Sequence, residues 1–266
     1  MMKQKTSISL IISTYNSPLF LELILLSILN QKKLPDEVVI ANDGSTIETQ
    51  QLVEKYQLAF PVPLIHVWHE DDGFRQSVIK NKAVARASGE YLIFLDGDLL
   101  LNPYFVYDYK KNIREGFFLV ASRAFLSEAY TIQLLQSKQT IIDLRSKNFE
   151  KNKIAALRIP WAHHFIKGSK THYAARGGLM GIFKKDYIAV NGFNEAFKGW
   201  GREDSELFVR LINNKLKRKN LKFAAITYHL WHQINSRERL IINDALLENA
   251  IREKSIWCKE GIDKYL

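Results

Sequence analysis

One pattern constrains this chain more than any other. In its first hundred residues a short apolar run, a small polar turn and a helical stretch of about ten residues follow one another repeatedly. The apolar runs are Ile8 to Ser13, Glu37 to Asn42, Leu64 to Trp68 and Tyr91 to Leu95. Each is short for a helix and rich enough in β-branched residues for a strand. Between them, Pro18 to about Gln31 reads as a helix with proline in its first turn. A second helix follows Asp43-Gly44-Ser45-Thr46, and a third runs from Ser77 to Ala87, ending at Ser88-Gly89. Such alternation predicts an α/β fold, a Rossmann-like, mostly parallel central sheet with right-handed crossovers and helices on both faces. Ligands of such sheets bind beyond the carboxyl ends of the strands, so the turns after Ser13, Asn42, Trp68 and Leu95 are expected to gather at one edge.

The second half is less regular. From about Leu135 to Ser169 the chain is polar and lysine-rich, read as surface helix and loop. Gly177-Gly178 opens a stretch of strand character, Leu179 to Lys184, and Asn191-Gly192-Phe193 makes a turn. Gly199-Trp200-Gly201-Arg202-Glu203-Asp204-Ser205-Glu206 leads into a helix with an acidic start. Lys215 to Lys219 reads as a solvated helix end, Phe223 to Tyr228 as a strand, and Arg239 to Ile256 as an amphipathic helix. No repeat or low-complexity linker separates residues 1–134 from 135–266, so the two parts are expected to share one compact body.

Composition narrows the class. At 47% hydrophobic the chain of 266 residues can bury a sizeable core. Its single cysteine, Cys258, excludes an intramolecular disulfide framework and a Cys-rich zinc site, which fits a reducing compartment. The most apolar stretch, Leu19 to Leu29, includes Glu22 and is shorter than the roughly 20 residues that span a bilayer. Met1 to Lys5 shows no secretory signal, so the expectation is a soluble or peripheral intracellular protein. The net charge of +10 is uneven: residues 1–144 carry 14 basic and 16 acidic side chains, residues 145–266 carry 24 and 12. Nucleic acid, an acidic membrane leaflet or a phosphorylated substrate would each suit that second half.

Three constellations carry chemistry. Asp96-Gly97-Asp98 sets two carboxylates at the end of an apolar strand, a pattern that suits Mg²⁺ or Mn²⁺ shared with substrate phosphates. Asp43 lies in the turn after the second strand and Asp72-Gly73-Phe74-Arg75 after the third, with Arg75 and Lys80 able to meet phosphate oxygens. Together these describe a nucleotide diphosphate pocket. Glu203-Asp204 is the second constellation, a helix start that can cap and hold a general base, with Trp200 offering a face for a sugar ring. The third is His229 and His232 beside Trp231, either of which can complete a metal shell begun by the carboxylates. His66, His69, His163, His164 and His172 are read as structural.

With these residues in view, Ile8 to Asn16, Asn42-Asp43-Gly44-Ser45 and Leu95-Asp96-Gly97-Asp98 resemble a family 2 glycosyltransferase of the GT-A fold. Gly199 to Asp204 is similar to the C-terminal motif of β-1,4-galactosyltransferases and of bacterial chondroitin and heparosan polymerase domains. The resemblance spans roughly residues 6–235. It implies a nucleotide-sugar part, residues 1–134, contacting a UDP-sugar through Thr14, Tyr15, Asn16, Asp43, Asp72, Arg75, Lys80, Asn81, Asp96 and Gly97. It also implies an acceptor and base part, residues 135–266, with Trp200 and Gly201 at the acceptor sugar, Asp204 as the base beside Glu203, and Asp98, His229 and His232 as the metal candidates. The implied reaction is inverting, Mn²⁺- or Mg²⁺-dependent transfer of a hexose or N-acetylhexosamine from a UDP-sugar to a glycan hydroxyl. The implied setting is bacterial surface polysaccharide or lipopolysaccharide synthesis at the inner face of the cytoplasmic membrane. Two departures stand out: Ser205-Glu206 where the galactosyltransferase motif often continues with further acids, and no counterpart of the Golgi membrane anchor. Two rivals rest on single features. The strand with Asp-Gly-Asp also suits a haloacid-dehalogenase-like phosphatase, although Leu99-Leu100-Leu101 follows the pair. The basic half also suits a nucleic-acid-binding module, although no recognition motif accompanies it.

Overall fold

The computed structural model describes residues 6–159, 161, 177–233 and 236–266. The four apolar runs form β1 (Ile8–Thr14), β2 (Glu37–Asn42), β3 (Leu64–Trp68) and β4 (Tyr91–Asp96), joined through α1 (Pro18–Leu29), α2 (Ile47–Gln57) and α3 (Gln76–Arg86). Then follow β5 (Leu99–Leu101), α4 (Phe105–Asn112), β6 (Phe117–Ala121), β7 (Arg123–Leu126), α5 (Glu128–Ser137) and β8 (Phe149–Lys151). The last part contributes β9 (Met180–Phe183), α6 (Lys184–Ile188), α7 (Glu203–Asn213), β10 (Lys217–Leu221), β11 (Thr227–His229) and α8 (Leu240–Arg252).

Among the described residues the central sheet runs β10-β6-β9-β4-β1-β2-β3. The pairs β1/β2, β1/β4, β2/β3 and β6/β10 are parallel, and β9 runs antiparallel between β4 and β6. Every residue of β1 and β2 is buried, as expected of strands covered on both faces. Alternation divides them. Ile8, Leu10 and Ile12 pack with Leu21, Ile24 and Ile28 of α1, whereas Ile11 and Val39 pack with Ile79, Ala83 and Val84 of α3. The register sets Thr14 opposite Asn42, Asn42 opposite Trp68 and Ser13 opposite Asp96. The carboxyl ends of the first four strands therefore share one edge, as the sequence pattern predicts.

A smaller sheet, β5-β11-β7-β8, stands beside that edge over Leu100, Ala124, Leu126, Ile226 and Tyr228, with α5 beneath. Three sequence expectations change here. Lys217 to Leu221 is the edge strand β10 rather than a helix end, and lysines suit a strand that must not recruit another. The strand expected from Phe223 begins only at Thr227, because Phe223 and Ala225 hold φ of 65° and 49° and cannot continue a ladder. Ser127 caps α5 by accepting from Tyr130 N, starting a helix ahead of the polar stretch read from about Leu135 as surface helix and loop. His163, His164 and His172 lie outside the described residues.

Candidate active site

The shared edge opens into a cleft of about 1100 Å³, lined by the ends of β1, β2 and β4 and by residues 199–205, 229, 231–232 and 236–240. Asp96, the last residue of β4, anchors its floor. Its Oδ1 lies 3.4 Å from Lys80 Nζ and 3.5 Å from both Ser13 Oγ and Gln76 Nε2, and its Oδ2 is 3.9 Å from Arg123. Gly178 passes so close that a Cβ there would sit 1.6 Å from Asp96 Oδ2.

Asp98 faces the other way. Immediately after it, β5 pairs antiparallel with β11, placing Leu99 opposite His229, and Leu230 N donates to the Asp98 carbonyl at 2.9 Å. That pairing carries both histidines to the carboxylate: Asp98 Oδ2 is 3.1 Å from His229 Nε2 and 2.9 Å from His232 Nε2. The two imidazoles stack with centroids 5.1 Å apart, and Phe125 backs His229 at 4.8 Å. Burial pushes the Asp98 carboxyl up, but hydrogen bonds from both histidines outweigh it and hold the group well below the usual carboxylate range. The same hydrogen bond raises His232.

The three groups fit a divalent cation. One ligand atom from each lies within 4.8 Å of the others, and Asp98 Oδ1 is buried without a hydrogen-bond partner among the described residues. Two imidazoles and a carboxylate make a donor set better matched to Mn²⁺ than to Mg²⁺.

Glu203 and Asp204, which open α7, also line the cleft. The turn before them needs Arg202 at φ 77° and Gly201 at φ 104°, and Asn243 of α8 holds it by donating to Gly201 O at 2.9 Å and Lys198 O at 3.2 Å. Arg202 is fixed in turn by Asp244. Burial, then the charge of Asp204, push the Glu203 carboxyl up to about 8. Trp200 is 40% exposed at the cleft wall, with the Arg237 guanidinium 5.4 Å from its ring. Glu206, the unusual continuation of the motif, points inward and makes a buried two-point pair with Arg210, 2.8 and 2.7 Å long.

Of the residues expected at a nucleotide sugar, Thr14, Tyr15, Asp43, Asp96 and Gly97 line the cleft, as do Asp98, Trp200, Gly201, Glu203, Asp204, His229 and His232. Five others do not. Asn16 points its Oδ1 at Thr46 N, 2.9 Å away, holding two turns together. Asp72 is exposed and pairs with Arg75 at 3.2 Å, and both lie at a separate small hollow with Glu70, Asp71 and Lys82. Lys80 is 1% exposed beneath Asp96, facing carboxylates instead of open space. Asn81 is wholly buried, donating to Phe193 O and Glu195 Oε1 at 2.8 Å and accepting from Tyr187 Oη at 2.6 Å, so it ties α3 to the segment after α6. Asp43 is itself held, by His69 Nε2 at 2.6 Å and Arg75 N at 2.9 Å. His69 and His66, the latter 3.0 Å from Asn42 Nδ2, keep their structural reading. Gln76, Arg123 and Gly178 also line the cleft and carried no signal in the sequence beyond residue type.

Asp96 and Asp98 at the carboxyl edge of the sheet, a carboxylate-histidine cluster that fits a divalent cation and a second acidic pair thus line one cleft of an α/β fold. The family model described as glycosyl transferase family 2 matches residues 9–170, and one described as the N-terminal domain of galactosyltransferase matches residues 163–233. TuaG of Bacillus subtilis, named as a teichuronic acid biosynthesis glycosyltransferase, is 33% identical, with 86% of this chain and 89% of TuaG covered. The hyaluronan synthase of Pasteurella multocida is 26% identical over 79% of this chain, and the chain spans about a quarter of that relative's length, 23%. Among solved structures, Staphylococcus aureus TarS residues 1–349 in complex with UDP-GlcNAc superposes with a TM-score of 0.65 at 20% identity, over 93% of this chain and 69% of that one. The fold is GT-A. The chain belongs to glycosyl transferase family 2 and is a glycosyltransferase, which displaces the phosphatase and nucleic-acid readings.

Proposed function

We propose that this enzyme transfers a hexose or N-acetylhexosamine from a UDP-sugar to a glycan hydroxyl with inversion, in bacterial surface polysaccharide or lipopolysaccharide synthesis. One observation carries the reading: the Asp98-His229-His232 cluster and the Glu203-Asp204 pair line one cleft. The names of the relatives, builders of hyaluronan and teichuronic acid, support a polysaccharide product.

A divalent cation held by Asp98, His229 and His232 would offset the charge growing on the leaving nucleoside diphosphate. Thr14, Tyr15 and Asp43 receive the nucleoside at the ends of β1 and β2. Trp200 gives the acceptor ring an apolar face, and Asp204 takes the acceptor hydroxyl proton as that oxygen bonds to the anomeric carbon. The bond from that carbon to the diphosphate oxygen breaks on the opposite side, so the configuration inverts. Burial and the neighbouring Asp204 charge push the Glu203 carboxyl up to about 8, so it holds its proton at neutral pH. Residues 1–134 would thus serve the donor and 135–266 the acceptor and base, with metal ligands drawn from both.

No helix among the described residues is long and apolar enough to cross a membrane. The excess of basic residues after position 145 suits work at the inner, anionic face of the cytoplasmic membrane or on an anionic glycan.

Screening nucleotide sugars for Mn²⁺-dependent hydrolysis and thermal stabilisation tests the donor, with UDP-sugars expected to win over GDP- and ADP-sugars. Asp204→Asn should keep UDP and metal binding while turnover falls by about a hundredfold or more. Undiminished turnover in that variant would sink the base assignment.

A further inference from the structure

The turn that carries Trp200 lies against a second short segment, residues 237–240, which leads into α8. Gly199 and Gly201 make the fit possible: a Cβ at Gly199 would lie 2.8 Å from Arg239 Cγ, and one at Gly201 would lie 3.2 Å from Leu240 Cδ1. Leu240 N donates to Arg237 O and Asn243 N to Arg239 O, each at 3.0 Å, so both arginines stand on hydrogen-bonded backbone. The Asn243 side chain, which donates to Gly201 O, joins the two segments. The Arg237 guanidinium is thereby set 5.4 Å from the Trp200 ring and the Arg239 stem against Gly199, and Trp200, Arg237 and Arg239 all line the cleft.

The other arginines of the cleft have carboxylate partners: Arg202 is held by Asp244, and Arg123 lies 3.9 Å from Asp96 Oδ2. The guanidinium groups of Arg237 and Arg239 form no ion pair or hydrogen bond with a described residue, and Glu238 between them pairs with neither. Stacking against an aromatic ring leaves the N–H donors of a guanidinium free, and their fork matches two oxygens of a carboxylate or a phosphate. We infer that Arg237 and Arg239 recognise an anionic group, a carboxylate or a phosphate, on the acceptor sugar received by Trp200, so that the enzyme selects an acidic glycan over a neutral one. This names the acceptor class for the reading above and rests on Trp200 being the acceptor platform.

The donor diphosphate has other partners. The cation proposed at Asp98, His229 and His232 offsets its charge, and Arg123 stands beside Asp96 at the strand ends. Arg237 and Arg239 are fastened to the Trp200 turn instead, where a sugar held on the indole brings its ring substituents within their reach. A neutral ring leaves both guanidinium groups to water, whereas an acidic ring gains charge-assisted hydrogen bonds. The selection is by attraction, because neither arginine excludes a neutral sugar. Both side chains are exposed, so replacing them leaves the core untouched.

The test is calorimetry of matched glycans against the enzyme loaded with Mn²⁺ and UDP. One pair is a uronic-acid oligosaccharide and the same oligosaccharide with its carboxyls reduced to alcohols. The other is a phosphorylated glycan and its dephosphorylated form. In one pair the charged member should bind about tenfold more tightly than its neutral twin, and the pair that does so identifies the anion. Arg237→Gln and Arg239→Gln should each lower that preference by about threefold, the double variant should erase it, and Arg237→Lys should keep most of it. UDP affinity should stay at the wild-type value throughout. Equal binding of charged and neutral members in both pairs overturns the proposal, as does a preference that survives the double variant. If that variant loses affinity for UDP, the arginines are diphosphate ligands and the proposal falls. If it keeps the glycan preference and loses binding to phosphatidylglycerol vesicles, they are a membrane contact and the proposal falls too. Trp200→Ala should weaken both members of a pair alike, and unchanged glycan binding there removes the acceptor platform. Hydrolysis of a UDP-sugar without glycan separates the levels of failure. A wild-type enzyme that hydrolyses the donor yet shows no charge preference defeats this proposal alone, and one that neither binds UDP nor hydrolyses UDP-sugars defeats the proposed function first.

Discussion

A side chain at position 178 would collide with Asp96: the Cβ of any other residue there lies 1.6 Å from Oδ2, well inside atomic contact. Gly178 immediately precedes Leu179 and the strand that runs beside β4, so the backbone itself forms one wall of the carboxylate's seat. Gly178→Ala should push Asp96 off its bonds to Ser13, Gln76 and Lys80. Displacement of a positioned group by about 1 Å costs about a hundredfold in rate. We expect kcat to fall on that order while the melting temperature drops by only a few degrees, ~1–3 kcal/mol of overpacking. Turnover equal to wild type would show that Asp96 has room to move.

The proposed cation site at Asp98, His229 and His232 predicts a paired effect. His229→Ala and His232→Ala should each weaken Mn²⁺ binding, read by titration calorimetry, by at least about tenfold, the loss that removing even an outer partner of a metal ligand brings. EDTA should abolish transfer, and Mn²⁺ should restore it better than Mg²⁺. If one histidine variant binds Mn²⁺ as tightly as wild type, that histidine is a neighbour and not a ligand.

Glu203 makes stability depend on pH in a stated direction. Its carboxyl is raised in the fold, to about 8 from an ordinary 4.5, so the folded chain holds a proton that the unfolded chain has released. That contribution is full below pH 4.5 and is lost as pH rises through 8. Glu203→Gln removes the dependence. Its melting temperature should match wild type near pH 5 and exceed it near pH 9, as seen by calorimetry in metal-free buffer. Parallel curves would assign the titration elsewhere.

Asn243 lies on α8, far along the chain from the turn it holds. Its amide donates to the carbonyls of Lys198 and Gly201, and the side chain is 1% exposed. Asn243→Ala leaves buried carbonyls without donors, at about 1–3 kcal/mol. The loosened turn carries Trp200, so the acceptor KM should rise while the donor KM stays constant. Equal changes in both would point to a general loss of structure.

Much of this was legible in the sequence because two kinds of local signal agreed. Runs such as Tyr91 to Leu95 are apolar and end in small acidic turns, so strand and site announced themselves together, and Asp98 was separable from Asp96 by motif alone. What stayed hidden was direction. Lys80 and Asn81 are neighbours on one helix, yet one faces Asp96 and the other Tyr187 and Phe193, and no spacing tells which. Both histidines beside Trp231 looked equivalent because the β5/β11 pairing that brings them to Asp98 is a contact between distant segments. Lys217 to Leu221 read as solvated since an edge strand is chemically disguised by its lysines. Gly178 and Asn243 act through close approach and through a turn on another element, which composition does not record.

The antiparallel strand β9 sits between β4 and β6, hydrogen-bonded to both, although Gly178, just before it, comes 82 positions after Asp96 in the chain.

 A ribosome therefore releases β1 to β4 with one flank of the sheet bare, and that flank stays bare until Met180 to Phe183 has been made. The far edge waits longer still, for Lys217 to Leu221. Pairings of such long separation in sequence slow folding and leave strand edges exposed in the interval. The order of assembly has a chemical side as well: Asp96 receives its glycine wall, and Asp98 its histidines, only at these late steps. A half-made chain thus lacks the histidines of the proposed cation site and the proposed base, and the cleft is completed only as the sheet closes.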